Sequence, residues 1–178
     1  MTSIRPGFVR SFAPDLHALY PAAVFVGLIR DAAAVCEGHL ARGASLAEAT
    51  EAYGFVGGQL IALEAAGLPL RTWRFEDLLA DAAGTAREIQ AFCGLDPARS
   101  RGVCLQDKER IIDPTGAVRG NRKVDLFYDF AEMGRHMRAD ANERARGRLS
   151  EDARAEIAAR CAPVLRHFGY AGGPALGA

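Results

Sequence analysis

Arg30 and Asp31 follow directly on the apolar run Ala23-Val-Phe-Val-Gly-Leu-Ile29. That run is short, unbroken and rich in aromatic and branched residues, as a strand inside a parallel sheet is. An arginine at the C-terminal end of such a strand faces the crevice where open α/β sheets bind ligands. Its planar fork of donors matches a phosphate. A helix starting straight after it adds free amides and a positive dipole end. Phosphate binding is one reading of Arg30; the other is a surface arginine paired with Asp31 or with a helix terminus. A second acidic-aromatic group, Phe75-Glu76-Asp77, stands where another strand-like run gives way to a helix. Two carboxylates there complement the helix dipole, a structural role.

Other reactive residue types are dispersed. Cys36, Cys93, Cys104 and Cys161 form no C-x-x-C pair, and the four histidines do not cluster with them. That spacing points away from zinc, and no metal is expected. Cys36, Cys93 and Cys161 lie among apolar helical neighbours and read as small, reduced core residues. His39 reads as a solvated helix residue and Trp73 as a buried strand aromatic. Arg135, His136, Arg138, Arg144, Arg146 and Arg148 make a basic stretch, but Glu132, Asp140 and Glu143 interleave with it. Such a pattern is a solvated helix face rather than a polyanion site.

Composition narrows the class. Lys plus Arg is 22 and Asp plus Glu is 22, so the net charge is zero and nucleic acid is not an expected partner. Hydrophobic residues make up 49% and charged residues 25% of the 178, which excludes disordered and fibrous classes. No run reaches the roughly 20 apolar residues that span a bilayer. Arg5 and Arg10 precede no long apolar segment of the signal-peptide kind. A cytoplasmic protein with no membrane partner is expected.

The elements that must position these residues can be read along the chain. Residues 1–12 read as irregular, and a short helix runs from Pro14 to Tyr20. Strand 23–29 reads as buried on both faces. A helix over 32–42 stops at Gly43. Ser45-Leu-Ala-Glu48 is a capping box that opens a helix to about Ala66, with Gly67 as its stop. Gly54, Gly57 and Gly58 inside it imply a kink or close packing. A strand over 69–75 completes a parallel βαβ unit. Helical segments follow at 76–81, 85–93 and from Asp96-Pro97. Residues 105–124 read as a polar surface loop and 126–145 as a helix. Ser150 caps a last helix, Glu151 to Phe168, whose core face carries Ile157, Cys161, Val164, Leu165 and Phe168. The fold class is α/β, a short parallel sheet of two clear strands with a mostly helical remainder. Residues 1–170 form a single domain and 171–178 a flexible tail.

Two segments carry a family likeness: strand 23–29 running into Arg30-Asp31, and Trp73-Arg-Phe-Glu-Asp-Leu-Leu79 followed by Asp81 and Thr85–Cys93. Together they resemble the sulfotransferases that move a sulfuryl group from 3′-phosphoadenosine-5′-phosphosulfate (PAPS) to an acceptor. Pro14-Asp-Leu-His-Ala-Leu-Tyr-Pro21, Ala91-Phe-Cys-Gly-Leu95, and the segment from Leu149-Ser-Glu-Asp-Ala153 to Phe168-Gly-Tyr170 extend the likeness over roughly 5–170. The resemblance implies that Arg30 holds the 3′-phosphate and that Phe75 lies near the adenine, without a tyrosine hydroxyl. Arg119 and Gly120, in Val118-Arg-Gly-Asn-Arg-Lys123, resemble the family's late basic-glycine loop, which reaches the same phosphate. PAPS or adenosine 3′,5′-bisphosphate is the implied cofactor, and a small-molecule or glycan hydroxyl or amine the implied acceptor.

The chain departs from the family pattern in its first part. Residues 1–22 hold no glycine- and serine/threonine-containing P-loop. Ala32 stands where the family commonly has proline, and Gly38 where a serine joins the 3′-phosphate. Only Arg5 and His17 lie where a catalytic His or Glu is usual, so the catalytic residue is unassigned. The expectation is therefore an incomplete P-loop-type three-layer fold, lacking its N-terminal strand and P-loop, and inactive as an isolated chain. Two alternatives stand beside it. One is a degenerate, non-catalytic relative that binds a partner chain or a second copy through its exposed sheet edge. The other is an unrelated small α/β nucleotide-binding protein.

Overall fold

The computed structural model describes residues 6–99, 102–112, 118–129, 132 and 140–170. The chain divides into two compact units. The first is built from the chain up to Ala80 and from Arg138 onward, and the second is Asp81–Met137.

In the first unit the apolar run becomes strand β1, Phe25–Ile29, and Leu70–Arg74 becomes strand β2. They pair in parallel, from Phe25 opposite Leu70 to Ile29 opposite Arg74. A parallel pair needs a long crossover, here supplied by helices α2 (Ala32–Leu40) and α3 (Leu46–Ala65). The capping box forms as read. The Ser45 hydroxyl accepts from the Glu48 amide at 3.2 Å, and the Ser45 amide donates to the Glu48 carboxylate at 2.8 Å. Gly67 takes φ +72°, the left-handed stop that an L side chain resists. The mixed α/β class with a short parallel sheet is thus observed.

The first unit also holds α1 (Pro6–Leu19), α4 (Phe75–Ala80), α6 (Ala141–Arg146) and α7 (Glu151–His167). Ser150 caps α7 by accepting from the Ala153 amide at 3.2 Å. The core gathers Ile29, Cys36, Ala49, Tyr53, Ile157, Cys161 and Val164 from β1, α2, α3 and α7. Gly57 resolves the glycines inside α3 as close packing. A Cβ there would collide with the side chain of Val164, so the two helices approach at that point.

Three expectations fail in this unit. Residues 6–12 are helical, because α1 begins at Pro6, a good first-turn residue. Strand β1 is covered on one face only. Gly27 and Ile29 are buried, while Val26 is 46% and Leu28 53% exposed. An apolar run cannot report how many faces the rest of the chain can cover. Of the helix expected over 126–145, residues 126–129 are strand, Glu132 and α6 are helical, and 130, 131 and 133–139 lie outside the described residues.

The second unit contains α5 (Ala82–Phe92), a single 3₁₀ turn at Pro97–Arg99, and strands β3 (Gly102–Ile112) and β4 (Val118–Asp129). β3 and β4 pair antiparallel, from Gly102 opposite Asp129 to Ile112 opposite Val118. The expected surface loop over 105–124 is therefore mostly strand, and so is the start of the expected helix at 126. The polar runs Gln106–Arg110 and Arg119–Lys123 interrupt the apolar pattern and hid the period of two. The turn chemistry of Asp113-Pro-Thr-Gly116, between two runs rich in branched residues, is the signal that was available. The tail 171–178 lies outside the described residues. Among the described residues no helix is long and apolar enough to cross a membrane.

Candidate functional site

The C-terminal end of β1 is where the first unit concentrates its polar side chains. Asp31 leaves the strand and caps α2, accepting from the Ala34 amide at 3.0 Å. It does not pair with Arg30. Its partner is Arg146, from the last turn of α6, at 2.7 Å. Asp31 is only 6% exposed, so this half-exposed arginine supplies charge to a buried carboxylate.

Arg30 is left to point elsewhere. Its Nε donates to the Asn142 side-chain oxygen at 2.7 Å. Its guanidinium carbon lies 4.6 Å from the centre of the Phe75 ring, a cation–π contact. Its carbonyl accepts from the Tyr53 hydroxyl at 2.9 Å. Among the described residues the two terminal nitrogens of Arg30 have no hydrogen-bond partner, and no carboxylate is within ion-pair distance. The group is thus a fixed, partly buried cation with its outer donors open.

Glu76 organises the surroundings. It accepts the Asp31 amide at 3.1 Å, the Asn142 side-chain amide and the Tyr170 hydroxyl. The Tyr170 hydroxyl also lies 3.2 Å from the Ile29 carbonyl. One carboxylate therefore ties the end of β1 to α4, α6 and the segment after α7. It also holds Asn142 in the orientation that receives Arg30. Burial pushes the Tyr170 hydroxyl well above the ordinary phenol range, and the Glu76 hydrogen bond adds to this. Burial does the same to Tyr53. Both hydroxyls are fixed donors at neutral pH, not acids. Glu76 has its oxygens engaged by three donors and is poorly placed to abstract a proton.

The next turn carries further pairs. Arg74 holds Asp77 bidentately, at 2.6 and 3.1 Å, and this keeps the Asp77 carboxyl below its usual range. Arg148 holds Glu37 at 2.5 and 2.7 Å in the same way. The basic stretch that reads as a solvated face thus sends two arginines, 146 and 148, to specific carboxylates on α2 and its cap.

Of the sequence-derived site residues, the structure brings Arg30 and Phe75 together. The pairing differs from the expectation in one respect: one face of the Phe75 ring is occupied by Arg30. Gly120 and the backbone of Arg119 lie within β4 of the second unit rather than in a loop, and the Arg119 side chain is outside the described residues. His17 packs edge-on against Phe25 with ring centres 6.5 Å apart, and its Nδ1 has no partner. Cys36 and Cys161 are fully buried as core residues, whereas Cys93 is partly exposed and Cys104 exposed. Among the described residues no cluster of His, Cys, Asp or Glu could hold a metal ion. Asn142 and Tyr53 carry no local motif, Arg146 reads only as part of a solvated basic stretch, and Tyr170 only as the end of a segment in the family likeness. Asn142 meets Arg30 across 112 positions of chain.

This geometry can bind an anion: an oriented guanidinium at a strand end, beside the first turn of a helix. No protein-family model, curated protein or solved structure matches the chain.

Proposed function

We propose that the first unit is a phosphate-binding module of the sulfotransferase kind, in which Arg30 takes the 3′-phosphate of PAPS or adenosine 3′,5′-bisphosphate. The observation that carries this reading is the state of Arg30. It is held by Asn142 and Phe75, is unpaired by any carboxylate among the described residues, and has two open donors. Support also comes from its place at the end of a parallel strand, which suits ligand binding in α/β sheets. PAPS, when bound, would supply the sulfuryl group. The Phe75 ring, beside Arg30, is the surface offered to the adenine.

Transfer needs donors for the sulfuryl oxygens and a base at the acceptor hydroxyl or amine. The Arg30 cluster offers neither, so the isolated chain binds without turning over. A second reading, an interaction module that docks a partner chain or a second copy, is favoured by the exposed Val26 and Leu28 of β1. Calorimetric titration with adenosine 3′,5′-bisphosphate separates the two. The phosphate reading expects weak binding, of the order of millimolar, that Arg30→Ala abolishes. Equal behaviour of the two proteins would sink it and leave the interaction module.

A further inference from the structure

We propose that α7 and the first turn of α2 form a second site, sharing Asp31, Arg146 and Tyr170 with the cluster at the end of β1, for a small anionic amphiphile, a carboxylate or similar head on an apolar chain. The site is a cavity of about 430 Å³ in the first unit, within the range of small-molecule pockets. It does not depend on the phosphate reading of Arg30.

The sequence explains why there is space. Arg154, Ala158, Ala162 and Arg166 are spaced four apart and so share one face of α7. Ala32 and Ala33 of α2 line the opposite wall. Alanines from both helices line the cavity, and their short side chains leave it unfilled. Ile157, which is 1% exposed, and Leu165 add apolar surface. The walls are therefore methyl groups and branched side chains, which suit a hydrocarbon.

The ends of the row are cationic. Arg154 and Arg166 lie twelve residues apart, about 18 Å along the helix axis. Among the described residues neither side chain has a hydrogen-bond or ion-pair partner. Arg146 also lines the cavity but is already tied to Asp31, the one carboxylate in the wall. The cavity is open to solvent along an apolar floor, with an unpartnered, exposed guanidinium toward each end. One such cation beside apolar surface suits a ligand with one charged head and an uncharged body. The head sits at one end and the chain lies over Ala158 and Ala162.

Octanoate is the probe, with 1-octanol as its neutral counterpart, both titrated by calorimetry into the full chain. Octanoate is expected to bind and octanol to bind about tenfold more weakly or not at all. Arg154→Ala or Arg166→Ala should weaken octanoate about threefold to tenfold, and the variant that does so identifies the head-group end. The double variant should lose at least as much. Arg160→Ala is the control on the same helix: its guanidinium pairs with Glu156 and does not line the cavity, so affinity should be unchanged. Ala162→Phe, which fills the slot, should abolish binding with the far-ultraviolet circular dichroism retained. The proposal is overturned by no octanoate binding at about 10 mM, by equal affinity for octanol, by a double variant that binds like wild type, or by an equal loss in Arg160→Ala. The arginine variants are solvent-facing and test the idea even if Ala162→Phe does not fold.

Discussion

At the scale of single residues, Glu76 matters more than its position in an acidic pair suggests. It accepts from three donors, and of these the Tyr170 hydroxyl also has the Ile29 carbonyl within reach. Glu76→Ala should cost about 1–3 kcal/mol, the cost of orphaning buried donors, read from urea unfolding. It should also weaken any ligand of Arg30, because Asn142 loses the bond that orients it. A variant as stable as wild type would mean that water replaces the carboxylate. The Glu37–Arg148 pair gives a pH signature. Arg148 donates to Glu37 and holds its carboxyl below the usual 4.5. A carboxyl whose folded value is lowered contributes its stability fully above the unfolded value. That contribution is lost as pH falls through the folded one. Arg148→Ala should therefore melt lower than wild type from pH 8 to 5, with the gap closing below pH 4.5. Thermal melts across that range check this, and a gap undiminished at pH 3 would assign the effect to packing instead.

At the scale of elements, α3 shows how the same residue type can carry opposite effects. Gly58 has open space where a Cβ would go, whereas at Gly57 the Cβ would collide with Val164 of α7. Gly58→Ala should stabilise by about 0.5–1 kcal/mol, through helix propensity alone. Gly57→Ala gains the same propensity, but overpacking costs about 1–3 kcal/mol, and the clash wins. Chemical denaturation of the two variants measures the contrast; equal shifts would show that α7 gives way at no cost. Helix boundaries were the most legible part of this protein. Ser45, Glu48, Gly67, Ser150 and Gly169 act through hydrogen bonds and dihedral angles spanning a few residues, so sequence contains the whole interaction. The β3–β4 hairpin was not legible. Its pairing joins positions up to 27 apart, Gly102 with Asp129, and the only alternating stretch among the described residues is short, Val124, Leu126 and Tyr128 half-buried between exposed Asp125, Phe127 and Asp129. Arg30 was legible because it ends an apolar strand, and Phe75 drew notice through the family likeness; the structure places the two side by side. Asn142 and Tyr170 were not legible at this site, because only folding brings them there.

At the scale of the whole molecule, the β1–β2 sheet is two strands wide among the described residues, and two-stranded sheets are marginal alone. The edge of β1 away from β2 is unpaired there, and Val26 and Leu28 face outward beside it. Such an edge with an apolar face favours association. Light scattering should show the chain's apparent mass rising with concentration. The double substitution Val26→Lys and Leu28→Lys should hold it at the monomer value with little change in melting temperature. A wild-type chain that stays monomeric over the same range would mean that this face has no partner in its own kind.

The sequence by itself determined the local facts: the caps and stops of α3 and α7, the strand β1 in its parallel unit, and that an arginine stands at its end. These rest on caps, turn dihedrals and periodicity, forces that act between near neighbours. Only the tertiary structure decided which face of β1 is covered, and that Asp31 answers to Arg146 rather than Arg30. It also decided that Glu76, a first-turn acid of α4 as expected, is in addition a hub, and that alanines 32, 33, 158 and 162 line a cavity. Each of these depends on which distant side chain arrives at a given point. Burial and pairing energies are set by that arrival, and no local pattern encodes it.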